Sequence, residues 1–289
     1  MCGRFVSARK RLELLEEFSI ERDSVAAGPD PEPGPDYNVA PTRRVYAVME
    51  RRPRDTQASQ PPARELAVVR WGLVPSWAKD ASGSGRLINA RAETVAVKPA
   101  FRRAFARRRC ILPADGYYEW QAVTEDGKQR KQPYYIVPKD GGTLAFAGVY
   151  EFWRDQTLPE DHEHAWLCTA AIITTRATDD VGEIHDRMPM VIEPDHWADW
   201  LDPDHSEPGE LSAAMQPAMA GGLTSFPVSM AVNSVRNNGP ELIVPLSADQ
   251  GRPPGELFLV RGARPGLTGA RAARRTRTEA RTNGDYRRP

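Results

Sequence analysis

Residues 109–120 read RCILPADGYYEW, and the way this stretch is punctuated points to the fold. Cys110, Ile111 and Leu112 form an apolar run too short for a helix. Pro113, Asp115 and Gly116 interrupt it, and Tyr117, Tyr118 and Trp120 then resume in residues that favour strands. Outward in both directions the same grammar recurs. RVYAVME (44–50) and ELAVVRW (65–71) lie upstream; PYYIVP (133–138), LAFAGVY (144–150), WLCTAAIITT (166–175) and RMPMVI (187–192) lie downstream, all separated by Gly, Pro and Asp. These runs predict an antiparallel, mostly β core. Helical periodicity is confined to residues 9–18, where Leu12, Leu15 and Phe18 are expected on one face, to Pro99–Arg108 and to Pro194–Leu201, where proline suits a first helical position. The class expected is α+β, in one domain.

Composition narrows the function classes without choosing among them. The chain has 289 residues, 40% of them hydrophobic, and balanced formal charge, as for an ordinary globular protein. Neither an apolar leader nor an 18-residue apolar span occurs, so secretion and membrane spanning are not expected and a cytoplasmic, nucleoid-associated location is. Cys2, Cys110 and Cys168 are far apart and have no ligand-spaced histidines, which argues against a disulfide framework and a metal site, and no cofactor is expected. Two proline-rich polar stretches, 23–36 and 52–64, and a GSG-type loop at 80–86 read as exposed insertions. After about residue 248 periodicity is lost. Residues 264–289 hold eight arginines against Glu279 and Asp285, too little apolar content to offset ordering entropy. The expected organisation is a folded domain over 2–248 and a disordered Arg-rich tail over 249–289. A second basic cluster, Arg102, Arg103, Arg107, Arg108 and Arg109, could meet phosphate or simply face solvent.

The chemistry centres on Cys2. A cysteine in second position becomes an N-terminal 1,2-aminothiol once Met1 is removed. An α-amine titrates near about 7.7–8.0, so roughly a tenth is free base at neutral pH. Such an amine forms a Schiff base with an aldehyde, and the neighbouring thiolate can close a five-membered thiazolidine on the same carbon. The ring-opened sugar of an abasic site is a matching aldehyde.

Seven ordered motifs, MCGRF, NVAPT, RWGLVPSW, INARAET, RRCILPADGYYEW, FAGVYEFW and IHDRMP, make the chain resemble the SRAP (SOS response-associated peptidase) family from residue 2 to about 245. The resemblance implies a barrel-like β core flanked by short helices. It also implies an abasic-site processing protein of the DNA damage response that crosslinks single-stranded DNA covalently. Its active site would fall on Cys2, Asn89, Glu119 and His185. Glu119 would be a proton donor and acceptor in apolar surroundings, His185 a proton shuttle, and Asn89 the group that orients the opened sugar. DNA contacts implied are Arg4, Arg91 and Arg187 on phosphates, with Pro41, Trp71 and Trp120 shaping or stacking along the path. Trp166, Trp197 and Trp200 are expected in the core, and the protein is expected to act as a monomer.

Three other readings remain open on residues alone. Class II glutamine amidotransferases also begin Met-Cys-Gly, although they place an aliphatic residue where Arg4 stands. A noncovalent DNA reader would make Cys2 incidental. Peptidase-type removal of Met1, and an AP lyase side reaction from the Schiff base, are further activities the residues allow.

Overall fold

A computed structural model describes residues 2–26, 31–52, 61–125, 127–178, 181–207, 209–211, 215 and 221–246. The strands are β1 (Arg4–Ser7), β2 (Arg22–Asp23), β3 (Asp36–Val39), β4 (Arg44–Arg51), β5 (Ala63–Trp71), β6 (Asn89–Arg91) and β7 (Arg109–Ala114). They continue as β8 (Gly116–Glu125), β9 (Lys128–Pro138), β10 (Leu144–Arg154), β11 (Trp166–Arg176), β12 (Arg187–Pro189) and β13 (Leu223–Pro227). The helices are α1 (Arg11–Glu17), α2 (Arg102–Arg107), α3 (Val181–Ile184) and α4 (Trp197–Leu201), with 3-10 turns between them. The chain divides into two units, residues 1–252 and 253–289. The second unit, and with it the expected tail, lies outside the described residues.

The apolar runs close into a ring. Strands β5, β4, β7, β10 and β11 pair antiparallel in that order. The ring shuts where β11 meets β5 in parallel, Thr169 opposite Arg70 and Ala170 opposite Trp71. The protein is thus a single-domain α+β fold on a closed five-stranded barrel. Its strands read as continuous apolar runs because both faces are covered. Val48, Ile111, Ala147, Val149, Ala171 and Ile173 face Leu14 and Phe18 of the α1 region, Phe105 of α2 and Trp200 of α4. The alternate set, Ala47, Met49, Cys110, Leu112, Phe146 and Ile172, packs with Phe5, Tyr117 and Ile136 of the second sheet. That sheet runs β13-β9-β8-β1-β3. Where β10 crosses β7, a side chain at Gly148 would run into Leu112 Cδ1 and Cys110 Sγ, so close strand approach requires glycine there.

Several expectations change in detail. In α1 the buried face is Leu14 with Phe18, while Leu12 is 71% exposed; two residues on a helix are about 200° apart, so Leu12 and Leu14 cannot both face the core. Arg109 does not belong to a phosphate-facing cluster. It is 2% exposed and donates to the carbonyls of Phe105, Ala106, Trp200, Asp202 and His205. A guanidinium is thereby spent on orphan carbonyls around the ends of α2 and α4. Its neighbour Arg108 donates to Glu151 at 2.7 Å. Trp166 is 52% exposed rather than core, whereas Trp200 is buried and Trp197 stacks on Phe18 at 4.3 Å. RMPMVI contributes only the three-residue β12, since Val191 makes just an isolated bridge to Phe146. Among the described residues no helix is long and apolar enough to cross a membrane.

Candidate active site

Strand β1 carries the start of the chain into the fold. It pairs antiparallel with β8, Arg4 opposite Tyr118 and Phe5 opposite Tyr117, and this register leads the preceding residues toward Glu119 and Trp120. Phe5 packs edge-on against Trp71 at 5.0 Å and Phe146 at 6.0 Å, so the second sheet is pinned to the barrel beside the chain terminus. Cys2 is fully buried as a result. Its carbonyl accepts a 2.7 Å bond from Asn89 Nδ2, and its thiol lies 3.8 Å from the Arg4 carbonyl. Asn89 reaches Cys2 because β6 pairs in parallel with β11, Ile172 opposite Asn89. With Nδ2 committed to Cys2, Asn89 Oδ1 is buried and has no hydrogen-bond partner among the described residues.

Glu119 follows Tyr117 on the same face of β8 by strand alternation and is 3% exposed. Burial pushes its carboxyl above the ordinary carboxylate range, while proximity to His185 draws it down. Burial also pushes the Cys2 thiol up, and the Glu119 charge adds to that. Both groups therefore hold their protons more tightly than free side chains do. The phenol of Tyr117 is raised by burial too, with Cys2 and Glu119 acting in the same direction. Its hydroxyl is buried without a hydrogen-bond partner among the described residues.

His185 arrives from the far side. It follows α3, and its N–H donates to the Val181 carbonyl at 3.1 Å. Gln121 of β8 clamps that helix by donating to the Glu183 carbonyl at 3.1 Å. The Arg187 N–H donates to His185 Nδ1 at 3.0 Å, which needs a lone pair there and leaves the proton of the neutral ring on Nε2. Asp186 Oδ1 lies 3.0 Å from the same Nδ1. Glu119, Trp120, Lys131, His185 and Asn233 line an open cavity of about 460 Å³. This is the entrance to the site.

The residues expected to contact DNA divide into groups. Trp120 is half-buried at the entrance, with Nε1 donating to Asn233 Oδ1 at 2.8 Å. Arg4 donates to Asn38 Oδ1 at 2.7 Å and to the Val232 carbonyl at 3.1 Å. Asn38, from NVAPT, in turn binds the carbonyls of Val232, Ser234 and Asn237, so Arg4 helps to hold the loop that flanks Trp120. Pro41 is half-buried in the β3–β4 turn, next to Thr42 with a positive φ of 73°. Arg187 forks onto Glu93, at 2.6 and 3.1 Å. Arg91 is exposed.

Trp71 cannot stack on a base. It is fully buried, with Nε1 donating to the Ile88 carbonyl, because it closes the barrel where β5 meets β11. The flat exposed surface in that motif is Trp77, which is 66% exposed. Sequence reasoning passed over it, although Pro75 two positions earlier ends the extended run and signals a loop. Lys131 at the entrance was also missed, since nothing in β9 alone marks it as facing Trp120. Among the described residues no cluster of His, Cys, Asp and Glu could hold a metal ion.

The chain is similar to known proteins over most of its length. The chain is 37% identical over 243 residues to the abasic site processing protein YoqW of Bacillus subtilis, covering 84% of this chain and 99% of that one. It is 36% identical to YedK of Escherichia coli, an abasic site processing protein, covering 85% and 100%, and 33% identical to HMCES of Gallus gallus, covering 73% and 66%. A crystal structure of a Bacteroides thetaiotaomicron protein shares the fold, with a TM-score of 0.67 at 24% identity over 85% of this chain and all of that one. The family model described as SOS response associated peptidase (SRAP) matches residues 1–235, and the chain belongs to that family.

Proposed function

We propose that this protein processes abasic sites in single-stranded DNA, and that after Met1 is removed Cys2 captures the lesion as a thiazolidine. The observation that carries the reading is the burial of Cys2 under Asn89 and beside a Glu119 whose proton is held by that same burial. While Met1 is attached, the Cys2 nitrogen is an amide and cannot attack. Once freed, the amine adds to the aldehyde carbon of the opened deoxyribose, and Glu119, still protonated, donates to the departing hydroxyl as water leaves. The Schiff base, which keeps a proton on nitrogen when water leaves, is then attacked by Cys2 Sγ. The Glu119 carboxylate, now a base, takes the thiol proton as the C–S bond forms and the imine nitrogen becomes an amine. The sum is aldehyde plus aminothiol giving thiazolidine plus water, and Glu119 returns to its starting state.

Asn89 Oδ1 is free to accept from a sugar hydroxyl, and His185 carries protons between the entrance and Glu119. Arg4, Arg91 and Arg187 supply positive field for phosphates, with Pro41 and Trp120 shaping the path. Because sugar and backbone are read and base edges are not, sequence preference is weak. We assign this activity to a domain over 2–248, acting as a monomer in the cytoplasm on the nucleoid. The tail, 249–289, adds nonspecific DNA affinity, and Met1 removal and AP lyase chemistry are subsidiary activities. The amidohydrolase alternative shares only three residues with this chain and leaves GYYEW and IHDRMP without a role.

The test is a denaturing gel. Protein lacking Met1, incubated with single-stranded DNA carrying one abasic site, should give a denaturant-stable shift that is absent in Cys2→Ala and less stable in Cys2→Ser. Protein confirmed by mass to lack Met1 that gives no adduct would refute the covalent reading.

A further inference from the structure

Beside His185, which also borders the Trp120 entrance, β11 ends in an open concavity of about 850 Å³. Three arginines line it. Arg187 on β12 stands directly opposite Arg176 of β11, and Arg91 on β6 registers with Thr174, two residues earlier on the same strand. Like charges paired across neighbouring strands weaken a sheet, and only two carboxylates, Glu93 and Asp186, line the concavity with them. Glu93 is spent on Arg187, whose side chain is only 11% exposed and which also donates to the oxygens of Thr174. Asp186 lies against His185 and is otherwise turned to solvent, 88% exposed. Arg91 and Arg176 are exposed; Arg176 forms no close ion pair among the described residues, although it lies within electrostatic reach of Glu93.

We infer that Arg176 is a phosphodiester-binding residue, and that with Arg91 it holds the DNA backbone as the strand leaves the Cys2 site. The inference rests on the reading of the protein as a single-stranded DNA binder. Alternation on β6 puts Asn89 and Arg91 on one face, about 7 Å apart along the strand, so Arg91 follows directly from the residue that touches Cys2. Arg176 lies on the next strand over and extends the cationic track outward from the lesion. An anion here gives Arg176 a second negative partner besides Glu93 and leaves the Arg187–Glu93 pair intact. The β6–β11–β12 edge thereby sets the direction in which one arm of the strand runs.

The experiment measures noncovalent affinity for an intact single-stranded oligonucleotide, free of abasic sites, across a range of salt concentrations. Wild type is compared with Arg176→Gln, Arg176→Lys and a control, Arg130→Gln, on an exposed arginine paired with Glu125. Arg176→Gln should weaken binding about fivefold at low salt and flatten the slope of log affinity against log salt by about 0.7, the value for one phosphate contact on a single strand. Arg176→Lys should keep the slope, and Arg130→Gln should match wild type. Wild type is also incubated with the same oligonucleotide carrying one abasic site and read on a denaturing gel. An unchanged slope in Arg176→Gln, or equal loss in the Gln and Lys variants, overturns the inference. Wild type that binds no DNA overturns both it and the proposed function. Normal binding and the expected slope change without any crosslink sink the thiazolidine reading alone.

Discussion

Replacing Glu119 with Gln keeps the size and hydrogen-bonding reach of the side chain but removes its capacity to trade a proton. General acid–base catalysis is commonly worth about 10²–10⁴ in rate. Glu119 is 3% exposed, so bulk water has little access to stand in for it, and the loss should reach at least the middle of that range, about 1000-fold or about 4 kcal/mol of barrier. The same substitution has a second, opposite signature. Burial raises the folded-state pKa of Glu119 above its unfolded value, so the fold favours the protonated carboxyl. The stability this group contributes is full below the unfolded value of about 4.3 and is lost as pH rises through the folded one. At pH 8 Glu119 ionises freely in the unfolded chain but not in its buried native setting, a cost that the Gln variant does not bear. Glu119→Gln should therefore match wild type in Tm near pH 4 and exceed it by a few degrees at pH 8. The assay pairs single-turnover adduct formation on denaturing gels from pH 5 to 9 with thermal unfolding at both ends of the range. Adduct formation within threefold of wild type, or a Tm difference that does not change with pH, would refute the assignment of Glu119 as the proton carrier.

Two further outcomes separate structure from chemistry. Arg109→Met should lower stability by about 3–5 kcal/mol in urea titration, because it leaves five carbonyls around α2 and α4 without a shared donor; a loss below 1 kcal/mol would mean that solvent can satisfy them. The tryptophans of RWGLVPSW should part company: Trp71→Ala should cost about 3–5 kcal/mol of stability. Trp77→Ala should leave Tm nearly unchanged while weakening single-stranded DNA binding by about 1–3 kcal/mol, and unaltered binding would remove Trp77 from the DNA path.

The strands of the barrel were readable because each is covered on both faces, which leaves an apolar run that needs no partner to be recognised. Shorter strands were not readable. RFVS at β1 and LTSFP at β13 are four and five residues long and mix polar with apolar positions, so only their pairing with β8 and β9 makes them strands. The residues of the candidate site stood out as parts of motifs, yet their company did not. Asn89 lies 87 positions from Cys2, and only the parallel pairing of β6 with β11 brings its amide to the Cys2 carbonyl. The two tryptophans of one motif look alike in sequence; which one closes the barrel and which meets solvent follows from where β5 ends.

Sequence by itself determined that the chain is a β-rich α+β protein with a cysteine at position 2, because strand patterning and residue order are local properties. Tertiary structure alone decided which charges remain available. Arginines are chemically identical along the chain, and whether one caps carbonyls like Arg109, forks onto a carboxylate like Arg187 or stands open like Arg91 and Arg176 depends on neighbours that long-range pairing supplies.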